Sequence, residues 1–231
     1  MKKILLIWLA VFAVVLGQER SYVDAPFGGG GGYFGGWMFP KSNDLLKKIG
    51  LPDIDKNGMY ISGGGGFLYL GFVPNVRVGG YGFGGSTSVK NNTSEAIYSV
   101  GGGALTIEYT LPFIRFMGVS LGTSIGGGSV TIDKYNNSGV YNYDDIFKDQ
   151  SPSINTYHKT LSRGYFYLAP QINFDYSLYR FINLRLGAGY QFTFGSDWKI
   201  DNDVKIANLP GGLKSDAFYL QLGVYFGLFF Y

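Results

Sequence analysis

The sequence predicts an all-β fold: eight antiparallel strands closed up-and-down into a membrane-spanning barrel, with a short helix in the first long connection. Three observations predict it. Apolar residues recur with a period of two through most of the chain. The two faces separated by this alternation differ in kind: one is bulky and apolar, the other is glycine, small polar residues and a few charges. The connections between the alternating segments run long, short, long, short along the chain.

The chain opens with "MKKILLIWLAVFAVVLGQ". Two lysines, an unbroken apolar run from Ile4 to Leu16 and a small Gly17 match a secretory signal peptide, 1–17, leaving 18–231 as the barrel domain. The alternative, a retained anchor, would need a longer apolar run than this one. Formal charge is +3, and Lys2 and Lys3 leave with the signal, so the mature chain is close to neutral and nothing directs it to nucleic acid. The 231 residues bound the chain to one domain or two small ones. Glycine is abundant, 37 residues, but without a G-x-y period, and aromatics at 18% argue against disorder. Cysteine is absent, which closes lipid attachment at a lipoprotein cut site, disulfides, thiolate catalysis and Cys-based zinc sites.

Alternation places strands at about 27–38, 58–72, 76–88, 96–110, 115–132, 162–176, 183–197 and 216–231. Between the first two, "KSNDLLKKIG" at 41–50 predicts a short helix, capped by Ser42 or Asn43, with Leu45, Leu46 and Ile49 on one face and Gly50 ending it. The fifth segment opposes Val119, Leu121 and Ile125 to Ser120, Gly122 and Ser124; the sixth opposes Phe166, Leu168, Pro170, Ile172 and Phe174 to Tyr165, Tyr167, Ala169, Gln171, Asn173 and Asp175. In the seventh, Arg185, Gly187, Gly189, Gln191 and Thr193 make a poor solvated exterior, where Lys and Glu should dominate. They suit a narrow polar interior with the bulky face toward lipid. The last segment gives the cleanest series: Phe218, Leu220, Leu222, Val224, Phe226, Leu228 and Phe230 all face lipid. The connections 39–57, 89–95, 133–161 and 198–215 are long, and 73–75, 111–114 and 177–182 are short. Long external loops and short periplasmic turns produce that order.

With signal peptide, eight strands and a terminal "GLFFY", the whole mature chain resembles the small eight-stranded bacterial outer-membrane β-barrels of the OmpA and OmpX kind. The resemblance implies a place in the bacterial cell outer membrane, lipid as its surroundings, and recognition of the last strand by the barrel-assembly machinery. In this sequence the apolar series ends at Phe230 rather than at Tyr231, offset by one from that signal.

Four inward charges stand near short turns: Arg77 and Arg185 just after them, Glu108 and Asp175 just before. A charge in a dry barrel must be paired, so they are expected to form a lumenal network that plugs the bore; the alternative is solvation in the interfacial zone. Asp53, Asp55 and Asn57 in "PDIDKNG" form half of a calcium loop, but the twelfth position, where a bidentate glutamate belongs, is Gly64. A turn entering the second strand explains the same residues. His158, the one histidine, has Asp149, Ser153 and Ser162 nearby in sequence, without a G-x-S-x-G elbow. Catalysis is therefore not expected, nor is a metal or cofactor. Glycine runs at 63–66, 79–85, 101–103 and 126–128, joined by 28–32, fall near mid-height on strands one to five, which predicts a two-sided barrel.

The expected function is a membrane-embedded scaffold that displays long loops to a surface ligand. The alternative is a narrow channel, or a carrier of a small apolar molecule, lined by Phe67, Tyr69, Tyr81 and Phe83. An eight-stranded interior is just filled by side chains, which favours the scaffold. A soluble lipocalin-like binder is the remaining rival.

Overall fold

The computed structural model describes residues 26–41, 57–92, 94–112, 114, 117–136, 158–195, 197–201, 204–206 and 215–230. Ten strands appear among them: β1 (Phe27–Pro40), β2 (Met59–Tyr69), β3 (Val76–Lys90), β4 (Ser94–Thr110), β5 (Gly118–Asn136), β6 (His158–Tyr179), β7 (Ile182–Phe194), β8 (Lys199–Ile200), β9 (Val204–Lys205) and β10 (Ala217–Phe230). The eight long ones pair antiparallel with their neighbours in sequence. Because β1 also pairs with β10, the ring closes without a free edge. β8 and β9 form a small hairpin that extends β6 beyond the top of β7.

The register fixes the size of the ring. Starting at Phe194 and stepping across each ladder gives Phe166, Gly127, Gly103, Gly82, Gly64, Tyr33, Val224 and then Leu184. The circuit returns to β7 ten residues from its start (194 − 184). With strands about 4.8 Å apart and a rise of about 3.3 Å per residue, eight strands at that shear tilt by about 41° and leave a backbone radius of about 8 Å. Side chains from opposite walls meet across such a bore.

Alternation sorts the side chains as it should in a closed wall. On β6, Tyr165, Tyr167, Ala169, Gln171, Asn173 and Asp175 are buried inside, whereas Phe166, Leu168 and Phe174 point out; Phe166 is 76% exposed. On β10, Phe218, Leu220, Leu222, Val224, Phe226 and Leu228 point out and are exposed, while Ala217, Tyr219, Tyr225 and Phe229 are buried. Phe230 is half-covered because its ring stacks on Phe27 at 4.3 Å. Val119 departs from the pattern: it has the outward parity yet is only 5% exposed, close to where the Leu111 N–H bonds its carbonyl.

Several boundaries differ from those expected. The connection between β3 and β4 is not long: the ladder runs up to Lys90 and Glu95, and just past it Ser94 N–H donates to Asn91 Oδ1 at 2.7 Å. Val89 and Lys90 extend β3 past the expected end at 88 because pairing with Ala96 and Glu95 satisfies their backbone. β6 runs from His158 to Tyr179, leaving only Arg180 and Phe181 as the turn to β7. The β8–β9 hairpin stands in the stretch expected to be plain loop. The signal segment 1–17, the helix expected after Lys41, Asp53, Asp55, Asp149 and Ser153 lie outside the described residues.

Candidate functional site

The interior is layered from the short-turn end upward. Arg77 sits at the second position of β3, Glu108 two residues before the end of β4, Asp175 near the end of β6 and Arg185 near the start of β7. The ladders set Arg77 opposite Glu108 and Asp175 opposite Arg185. The structure brings all four together, with relative exposures of 1%, 2%, 0% and 6%. Arg77 Nε donates to Glu108 Oε2 at 2.8 Å, and its Nη1 lies 2.6 Å from Asp175 Oδ2. Arg185 Nε donates to Asp175 Oδ1 at 2.8 Å, and its Nη1 lies 3.7 Å from Glu108 Oε1. Each guanidinium thus faces both carboxylates, and the four formal charges cancel.

Neutral groups complete the network, as buried ions require. Ser120 Oγ donates to Glu108 Oε2 at 3.0 Å, Gln171 Nε2 to Glu108 Oε1 at 3.0 Å, and Asn183 Nδ2 to Asp175 Oδ1 at 2.9 Å. Aromatic faces close it from the side. The guanidinium carbons of Arg77 and Arg185 lie 4.5 and 4.1 Å from the Phe67 ring centroid, and Arg185 also lies 5.0 Å from that of Tyr225. The four charges were legible from sequence. Their neutral partners were not singled out, although Ser120, Gln171 and Asn183 carry the inward parity at the height of the charges.

Above the charges lies a polar layer. Tyr219 Oη donates to Gln171 Oε1 at 2.9 Å, and Ser124 Oγ to the same oxygen at 3.1 Å. Higher still the interior turns apolar: Phe34, Met38, Met59, Ile61, Phe83 and Val130 form one buried cluster, to which the β8–β9 stretch adds Trp198. Phe67, Tyr69, Tyr81 and Phe83, the residues a channel would need as its lining, are packed in ring–ring contacts: Phe67 with Tyr69 at 6.2 Å, Tyr81 with Phe83 at 6.1 Å.

The remaining candidates are separate from this interior. The Asn57 carbonyl accepts the Trp37 Nε1–H at 2.8 Å, and Gly64 lies within β2, paired with Tyr33 and Gly82. His158 Nε2 lies 3.2 Å from both Asp133 Oδ1 and Thr160 Oγ1, with its ring stacked on Tyr135 at 4.5 Å. One nitrogen facing both partners is not the two-sided relay of a Ser–His–Asp triad.

The outer face carries aromatic pairs near both ends. Besides Phe27 on Phe230, Tyr179 stacks on Phe181 at 5.6 Å at the short-turn end. At the other end Trp37 meets Tyr60 at 5.9 Å and Tyr190 meets Phe192 at 4.7 Å. Between these on β1–β5 the outward positions include Gly31, Gly64, Gly66, Gly80, Gly82, Gly101, Gly103 and Gly127, and the ladders make them neighbours: Gly31 with Gly66, Gly66 with Gly80, Gly82 with Gly103, Gly103 with Gly127.

Neither a protein-family model nor a curated protein matches this sequence. Solved structures do resemble it. A major outer membrane protein from Thermus thermophilus superposes with a TM-score of 0.54 at 10% identity, over 87% of this chain and 99% of that one. The attachment invasion locus protein Ail of Yersinia pestis gives 0.48 at 11% identity, over 89% and 100%. OprG from Pseudomonas aeruginosa gives 0.42 at 13% identity, over 93% and 100%. The chain thus has the fold of a closed eight-stranded up-and-down β-barrel, and the Thermus thermophilus outer membrane protein is similar to it in fold.

Proposed function

We propose that the protein is an integral barrel of the bacterial outer membrane that serves as a scaffold for its long connections and neither conducts nor catalyses. The observation that carries this reading is an inside-out distribution: charges buried in the bore, bulky apolar groups exposed on the wall. Leu105 is 76% exposed and Ile125 62%, while Arg77 and Asp175 are almost completely covered. In water that arrangement would leave an apolar surface far larger than a monomer tolerates. In lipid it is the low-energy one.

The dimensions support it. Phe218 to Phe230 on β10 spans twelve residue steps, or about 30 Å along the barrel axis at a tilt near 41°, and aromatic pairs bracket that height. The similarity in fold to an outer membrane protein points the same way. The scaffold role is supported by a filled bore: a radius of about 8 Å, a paired charge layer and an apolar cluster occupy it among the described residues. Fractionation should recover the protein only with detergent, and planar bilayers containing the purified barrel should stay closed. Recovery in plain buffer would sink the membrane reading, and a steady open level would sink the scaffold in favour of the channel.

A further inference from the structure

The bore contains more than the charge layer needs in order to close it. Two cavities lie above the quartet, each with about 10 Å³ open to the centre of a water molecule, room for about one. The lower is lined by Thr106, Glu108, Gln171, Arg185, Gln221 and Tyr225 among others, the upper by Met38, Ile61, Phe83, Gln191 and Tyr219 among others. Phe34, Tyr81 and Gln221 line both, so these three form the floor between them.

The order of layers recurs on three strands read from their short-turn ends: on β3, Arg77, Tyr81, Phe83; on β5, Ser120, Ser124, Val130, Ile132; on β10, Tyr225, Gln221, Tyr219, Ala217; β7 differs, with Gln191 and Thr193 buried at the upper level. From this we infer that the bore is closed twice, by the charge quartet at the short-turn end and independently by an apolar seal around Met38, Ile61 and Phe83 at the other, with a water-holding polar chamber between them. The inference rests on the scaffold reading and deepens it.

The physics of the two seals differs. The quartet blocks the bore with ions that neutralise one another and hold their partners by hydrogen bonds. The upper layer is mostly apolar, with Gln191 and Tyr219 its few polar groups, so it offers a permeating ion little to replace its hydration and closes by dewetting. The lower cavity has Thr106, Glu108, Gln171, Arg185 and Gln221 around a space of water size, more than the two to four partners a buried water uses.

Two experiments test the inference. In planar bilayers, Arg77→Ala/Glu108→Ala removes half of the quartet as a neutral pair, and Met38→Ala/Phe83→Ala thins the apolar layer. Each double variant is expected to remain closed and the combined quadruple variant to conduct. Conduction by Arg77→Ala/Glu108→Ala alone would refute the apolar seal. Conduction by Met38→Ala/Phe83→Ala alone would refute the quartet as a seal, and a closed quadruple variant would refute a closure made of these two layers. Conduction by the unaltered protein is a different result, which removes the scaffold reading itself. Where the quadruple variant fails the heat-modifiability assay for folding, labelling decides. The chain has no cysteine, so Thr106→Cys places one thiol in the lower chamber. In vesicles it should resist a charged methanethiosulfonate reagent in the otherwise unaltered barrel. It should react from the short-turn side alone in the Arg77→Ala/Glu108→Ala background, and from the opposite side alone in the Met38→Ala/Phe83→Ala background. Labelling from both sides in either background overturns the inference.

Discussion

At the scale of single residues, the quartet is held by mutual need. Taking an ion out of water costs several kcal/mol, and its partners return that cost only while all of them are present. Arg77→Met should therefore destabilise by about 3–5 kcal/mol, because it leaves Glu108 short of its nearest cation in a dry interior. Adding Glu108→Leu should recover part of the loss, since the Asp175–Arg185 pair that remains is neutral and joined at 2.8 Å. Urea unfolding in lipid vesicles measures both; a double variant less stable than Arg77→Met would show that these charges are not coupled. Phe67 belongs to the same argument. Its ring receives both guanidiniums and packs on Tyr225 and Phe229 at 5.7 Å, so Phe67→Ala should cost about 3–5 kcal/mol.

At the scale of elements, the glycine-rich half of the wall divides into two kinds of glycine. Inward ones leave no room for a side chain. A Cβ on Gly126 would collide with the carbonyl of Gly103 and lie 2.7 Å from the Ala104 Cα, and one on Gly63 would collide with the carbonyl of Gly82 and lie 2.9 Å from the Phe83 Cα. Outward ones divide: the nearest heavy atom to a Cβ would be 3.7 Å away at Gly82 and Gly84 and 3.6 Å at Gly101, but 3.2 Å at Gly64, Gly80 and Gly103 and 2.7 Å at Gly66. The strands are bent so tightly that the inward direction points at the neighbouring backbone. Thus Gly63→Ala and Gly126→Ala should each lower the unfolding midpoint strongly or prevent folding. Gly82→Ala and Gly101→Ala should be neutral or stabilise by about 0.5–1 kcal/mol through reduced freedom of the unfolded chain. Equal losses at all four sites would refute the distinction.

At the scale of the whole molecule, the surrounding solvent is what the wall reports. Val224 faces out midway between the aromatic ends of β10. In a bilayer Val224→Arg should cost about 2–4 kcal/mol, against about 0–1 kcal/mol for the same change near either interface. In a water-soluble barrel the same arginine would be nearly neutral or improve solubility, so the depth dependence of the loss separates the two. The lipid-facing surface is also uneven. β6, β7 and β10 carry bulky groups along their height, whereas β3 above Val78 presents Gly80, Gly82, Gly84, Ser86 and Ser88.

The eight strands of the barrel wall, the alternation of faces and the four inward charges were legible in the sequence, because each is a local property: a period of two sets which way a side chain points, and distance from a turn sets its height. The cover over outward Val119 and the short connection between β3 and β4 are not legible in the sequence, because cover by a neighbouring segment and continuation of a ladder depend on pairing across strands, not on the residues themselves. The same holds inside the bore. That Ser120, Gln171 and Asn183 reach the carboxylates follows from a ten-residue shear, which sets which inward residues meet across an axis only about 8 Å from the wall. Sequence alone determined that the glycines cluster at mid-height on one half of the barrel. Tertiary structure alone decided that the inward ones are required and that outward ones such as Gly82, Gly84 and Gly101 have room for a Cβ, because the carbonyl that excludes a Cβ belongs to the adjacent strand.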